Sequence, residues 1–268
     1  MNPTAAHPPV KVTLVTHYFP AHRGGVEAVA WELASRLAAG GAADITWFAS
    51  DTDTAPQDAP GLRCVPARAC NLVERRLGFP FPLWSPAALA RVWGAVRAGD
   101  VVHLHDCLYL PNIVAWAAAR VARRPVVITQ HVGRIPFRNP LLRAILAGAN
   151  RLLGKLLLGS ASRTVFVSDV VLRYFEGFVR FRRTPIRMAN GVGTAIFHPA
   201  DEAERIRLRA RLAGDPDRPL LLFAGRFVEK KGLRRLHRLA QDFPRAHWIF
   251  AGWGPIDPSQ WRLPNVSV

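Results

Sequence analysis

Arg226 and Lys231 stand within a short segment that opens at Gly225 and closes at Gly232. The apolar run PLLLFA (219–224) precedes them and an amphipathic run follows, so residues 219–233 read as strand, cationic loop and helix. An arginine grips phosphate oxygens with a planar fork, and a lysine adds a compact charge. On a strand-to-helix loop both can converge at the carboxyl edge of a parallel sheet, where such sheets bind ligands. The chemistry implied is phosphate recognition. The competing reading is a pair of solvated surface cations, which neighbouring Lys230 exemplifies.

A second phosphate-type signal is the Gly24–Gly25 pair, placed after one apolar run and before an amphipathic one. Glycines let a backbone approach a ligand, and the N–H groups opening a helix favour an anion. A plain turn explains the same residues. No G-x-G-x-x-G follows the first strand, which disfavours a nicotinamide cofactor, and no P-loop signature is present. Asp51 and Asp53 form a DTD triplet in a polar loop, where a turn is the expected role. No metal site is expected.

The elements that must carry these residues alternate. Strands are expected at 11–16, 44–50, 62–66, 101–105, 125–130, 164–168 and 185–189, with helices from 26, at 87–96, 111–122 and 141–158. A second series follows: helix 202–212, strand 220–224, helix 233–243, strand 247–251 and the start of a strand at 265–268. Strand–helix alternation implies α/β architecture with doubly wound parallel sheets. The expected division is a domain over 1–198 and a smaller one over 199–268.

Composition narrows the function. The chain has 268 residues, half of them hydrophobic, and a formal net charge of +17 carried mostly by arginine. That balance is globular, not disordered. The charge suits an anionic partner, whether nucleotide or membrane headgroups, although an arginine-rich codon bias gives the same composition. Nucleic acid is not expected as a partner, because no helix-turn-helix, zinc spacing or aromatic-interleaved basic sheet occurs. Three cysteines without CxxC spacing argue against a disulfide framework or a zinc site, and for a reducing compartment. Neither a signal peptide nor a spanning helix is evident, so a cytoplasmic location is expected.

Seven short segments together resemble the retaining nucleotide-sugar glycosyltransferases of group 1, or family 4, which have the GT-B fold. They are FPAHRGGVE (19–27), VVHLH (101–105), ITQH (128–131), VFVS (165–168), NGV with FHP (190–199), GRFVEKKG (225–232) and AGWGP (251–255). The resemblance implies two Rossmann-like domains and transfer of a sugar from a nucleoside diphosphate to a lipid-linked or polysaccharide acceptor. It implies that Gly24 and Gly25 line a cleft beside the donor pyrophosphate, and that Arg226 and Lys231 neutralise that pyrophosphate as it leaves. His131 would lie near the transferred sugar, and the Gly252–Gly254 loop near the nucleotide. Asn190 and Gly191 would mark the crossing between domains. Ser168 is a weaker site residue that equally caps a helix. No cofactor beyond the sugar nucleotide is implied, since fixed cations can take the place of a metal.

Two departures bear on these expectations. Gly193 stands where the family has an acidic residue, and the chain ends before the position of the family's Glu-x7-Glu element. The resemblance therefore implies an incomplete second domain, and a non-catalytic member that binds acceptor or membrane is the alternative function. The apolar helix 141–158 carries Arg143, Asn150, Arg151 and Lys155 on a polar stripe. It reads either as a core helix or as a surface that lies on an anionic membrane at its inner face.

Overall fold

The computed structural model describes residues 8–77, 81–134, 139–213 and 218–268. These fall into two compact units, up to Gly191 and from Val192 onward. The sequence reading places the division at 198.

In the first unit the elements run β1 (Val10–Val15), α1 (Gly25–Ala39), β2 (Ala43–Ser50), β3 (Leu62–Ala67), β4 (Ala69–Cys70), α2 (Leu72–Leu77) and β5 (Leu83–Trp84). They continue with α3 (Pro86–Ala98), β6 (Val101–His105), α4 (Leu110–Val121), β7 (Val126–Gln130) and α5 (Pro140–Leu153). Then follow β8 (Arg163–Phe166), α6 (Asp169–Glu176) and β9 (Ile186–Arg187). Seven described strands form a parallel sheet in the order β3-β2-β1-β6-β7-β8-β9. The order reverses between β1 and β6, and a sheet wound this way opens a crevice at the carboxyl ends of those strands.

Alternation along the strands explains why both faces are covered. Leu14, Ile45, Trp47 and Ala49 pack on one face under Ala30, Ala34 and Ala38 of α1, whose small side chains let the helix lie close. Val15, Phe48 and Leu104 point to the other face, under Val92 and Val96 of α3 and Ala115, Ala118 and Ala119 of α4.

The helix expected over 141–158 is α5 followed by one π-helical turn, Gly154–Leu158. The wider turn carries Leu157 and Leu158 together into the core. The polar stripe is corrected as well. Asn150 is buried, with its side-chain amide directed at the Gly133 carbonyl, while Leu141, Ile145, Leu152 and Leu156 form the exposed ridge. α2 and the short antiparallel β4–β5 pair carry no periodic signal long enough to stand out in the sequence.

The second unit contains α7 (Glu202–Ala213), β10 (Leu220–Ala224), α8 (Leu233–Asp242), β11 (His247–Ala251) and β12 (Val266–Ser267). Its sheet is parallel, with the order β10-β11-β12. Leu233, Leu236 and Ala240 of α8 cover Phe223, Phe227, Trp248 and Phe250 on one face. Leu222, on the opposite face of β10, is 69% exposed. The α/β fold with two parallel sheets is thus present as expected.

Candidate active site

The carboxyl ends of β1, β6 and β7 gather the polar residues of the first unit. Gly24 is the N-cap of α1 and Gly25 its first residue. The two glycines serve different purposes. A Cβ on Gly24 would collide with the Glu27 carboxylate, whereas one on Gly25 would meet nothing within 4 Å. Gly24 is small because Glu27 folds back over it; Gly25 leaves an open approach to the backbone.

Glu27 is buried and paired with His17 Nε2 at 3.1 Å. Burial raises its pKa, but the His17 bond and charge, with its own backbone N–H, bring the carboxyl below the ordinary range. The opening turn of α1 also favours the negative charge. His17 lies flat against Tyr109, with ring centroids 4.1 Å apart.

His131 follows β7, as the sequence places it, and its Nε2 lies 2.9 Å from His105 Nδ1 at the end of β6. Burial pushes both imidazoles below their usual pKa, strongly for His105; Asp106 and Glu27 partly offset this for His131. His103 hydrogen-bonds Thr129 Oγ1, and burial lowers its pKa to about 4. Asp106 then fixes the loop. Its Oδ1 accepts the N–H groups of His131 and Val132, and its backbone sits at φ +66. Asn112 holds that strained turn by donating to the carbonyls of His105 and Asp106. His17 Nδ1, His105 Nε2 and Asp106 Oδ2 are buried with no hydrogen-bond partner among the described residues. A bound hydroxyl or an ordered water would satisfy such atoms. A neutral His131 can exchange hydrogen bonds with a hydroxyl without adding charge.

The DTD loop is more than a polar turn. Asp51 accepts the Ala69 N–H, and Asp53 pairs with His22 Nδ1 at 2.8 Å. Ser168 caps α6 by accepting the Val171 N–H, the helix-capping role open to it from the sequence.

In the second unit the loops after β10 and β11 run backbone to backbone. Gly225 donates to the Ala251 carbonyl, Phe227 to Trp253, and Ile256 to Phe227. A Cβ on Gly252 would strike the Gly225 carbonyl, and one on Gly254 the Phe227 carbonyl. Both glycines also have positive φ. Arg226 is half-buried beside this contact, and Lys231 is exposed at the end of the 3-10 turn before α8. Neither cation forms an ion pair among the described residues. Arg226, Lys231, Gly252 and Gly254 therefore share one end of the second sheet, while Gly24, Gly25 and His131 share one end of the first.

Sequence reasoning assigned no role to His17, Glu27, His105 or Asp106. His105 and Glu27 lie inside the quoted VVHLH and FPAHRGGVE segments, so the signal was present without the contacts that give it meaning. Among the described residues no cluster of three or more His, Cys, Asp or Glu is arranged to hold a metal ion.

The chain is similar in fold to several solved glycosyltransferases. Anabaena HepE in complex with UDP-glucose superposes with a TM-score of 0.64 at 15% identity, covering 96% of this chain and 68% of that one. The same protein with UDP gives 0.65 at 15% identity over 94% and 63%. The UDP-forming α,α-trehalose-phosphate synthase of Burkholderia vietnamiensis gives 0.54 at 15% identity over 92% and 64%. This chain thus spans about two thirds of the length of these neighbours. Comparison with curated protein sequences gives no match. The model of Glycosyltransferase Family 4 matches residues 23–195, most of the first unit and well over half of the chain. The Gly24–Gly25 turn, the histidines at the ends of β6 and β7 and the strands β2 to β9 lie within that match, and the chain belongs to Glycosyltransferase Family 4.

Proposed function

We propose that this chain transfers a sugar from a nucleoside-diphosphate sugar to a lipid-linked or polysaccharide acceptor, with retention at the anomeric carbon and without a metal. The observation that carries the reading is the cationic end of the second sheet, where Arg226 and Lys231 have no carboxylate partner among the described residues. Departure of the nucleoside diphosphate builds charge on its phosphate oxygens, and fixed cations aimed there lower the barrier. His131 and the open backbone at Gly25 supply uncharged polar contacts for sugar hydroxyls. UDP-sugars are the first donors to test, because HepE binds UDP-glucose within a similar fold.

The test is donor-dependent release of nucleoside diphosphate. Arg226→Ala and Lys231→Ala are each expected to slow it by about 10²-fold, and EDTA is expected to leave it unchanged. Release at the wild-type rate in both variants would rule out the proposed grip. A chain that binds acceptor yet releases no nucleotide would be a non-catalytic member.

The ridge of α5 supports an acceptor at a membrane surface. Leu141, Ile145, Leu152 and Leu156 face outward, flanked by exposed Arg143, Arg151 and Lys155. Basic apolar helices of this kind lie in anionic interfaces. No described helix is long and apolar enough to cross a membrane. Flotation with anionic liposomes should weaken when the three cations become Ala, and unchanged flotation would remove the membrane from the proposal.

A further inference from the structure

The loop between β1 and α1 is tied down at a second place, separate from the His17–Glu27 pair. His22 ends the 3-10 turn Pro20–His22, two residues before Gly24. Its Nδ1 hydrogen-bonds Asp53 Oδ2 at 2.8 Å, and its Nε2 lies 3.4 Å from Glu74 Oε1, an ion-pair contact without hydrogen-bond geometry. The ring is stacked on Tyr18 with centroids 3.8 Å apart. The Tyr18 hydroxyl reaches Glu74 Oε2 at 2.7 Å and Asn71 Oδ1 at 2.5 Å, and Asn71 Nδ2 donates to Glu74 at 2.8 Å. The side chains of His22, Asp53 and Glu74 are only 14%, 24% and 16% exposed. Three chain segments meet here: the β1–α1 loop, the loop after β2, and α2.

An imidazole between two carboxylates satisfies both only when each ring nitrogen carries a proton. A neutral ring would turn a lone pair toward one carboxylate. We propose that His22 is a positioning residue for sugar transfer: as an imidazolium it clamps the β1–α1 loop to Asp53 and Glu74, fixing the Gly24–Gly25 turn. Loss of its proton releases the clamp. The catalytic half of this proposal rests on the glycosyltransferase reading; the structural half does not.

The electrostatics agree. Burial works against the charged ring, but Glu74 and Asp53 outweigh it and hold the His22 pKa above the ordinary value. The contact with the His22 ring, followed by the hydrogen bonds from Tyr18 and Asn71, brings Glu74 down to about 2 despite burial. The groups facing His22 are Asp53, Glu74 and Tyr18, with the Glu27 carboxylate of α1 also within range and Arg23 next in the chain. A raised histidine pKa contributes stability that is present at low pH and lost as pH rises through the folded value. The depressed Glu74 contribution is lost only as pH falls toward about 2. The clamp is therefore closed below the His22 transition, which lies above the ordinary histidine value, and opens as pH rises through it.

The experiment is amide hydrogen exchange of the full chain across pH, corrected for intrinsic rates, with the His22 ring titration followed by NMR. Protection of residues 17–25 should fall along the His22 titration curve in the wild type. His22→Gln should lack that protection at every pH, while β6 and β7 stay protected. Asp53→Asn should move the transition to lower pH. Where the transferase assay is active, His22→Gln should raise KM about tenfold with little change in kcat, the mark of lost binding and not of lost chemistry. Flat protection through the titration, or equal protection in His22→Gln, would overturn the clamp. If His22→Gln does not fold, the wild-type pH series and Asp53→Asn decide the matter. An inactive chain with a pH-dependent loop would refute the glycosyltransferase reading and leave the clamp standing.

Discussion

Glu27 shows how one buried charge shapes a glycine turn. Its carboxylate fills the space over Gly24, answers His17 and accepts its own N–H at the start of α1. Removing one partner of a buried ion pair strands the other, so Glu27→Ala should destabilise the first unit by about 3–5 kcal/mol. The pH dependence follows from the depressed pKa. The contribution is present above the ordinary carboxylate value and is lost as pH falls through the lower folded value. Urea unfolding of the wild type between neutral and acid pH should show that loss, and Glu27→Gln should flatten it.

At the scale of elements, the loops after β10 and β11 behave as one unit because two glycine contacts lock them together. Gly252→Ala meets the Gly225 carbonyl and a positive φ at once, so it should destabilise the second unit by about 1–3 kcal/mol. Gly25→Ala is the contrasting case. With open space around it, stability should change by no more than about 0.5 kcal/mol. Its effect should appear in turnover, since a methyl group there obstructs approach to the backbone. Thermal melts paired with nucleotide-release rates separate the two outcomes. A loss of stability at Gly25 comparable to that at Gly252 would contradict this division of labour.

Across the whole molecule, the two sheets are covered to different degrees. The first is covered on both faces by helices. In the second, β10 pairs only with β11 among the described residues, and Leu222 stands exposed on the face away from α8. An apolar edge strand is a template for pairing with another chain. The chain should therefore self-associate at high concentration, and Leu222→Lys should reduce this in sedimentation measurements. The net charge of +17 opposes association at low ionic strength, so adding salt should sharpen the difference between the two proteins.

What the sequence determined by itself was local. Runs such as VVHLH, LLLFA and HWIFA are short and apolar between breakers, and the strands they form match them residue for residue. The ordered motifs gave the family, because glycine turns and strand ends recur at fixed places in a doubly wound sheet. The pairings that build the site were not legible. His22 meets Asp53 across 31 residues, Tyr18 meets Glu74 across 56, and Asp106 caps the His131 amide across 25. Each depends on strand order and register, which bring loops from separate βα units to one edge of the sheet. The α5 ridge has the same origin: its period was readable, but which face meets the core was decided by packing around Asn150, Leu157 and Leu158. Local periodicity fixes what an element is. Only the assembled sheet, by burying one set of side chains and exposing another, decides which charges must find each other.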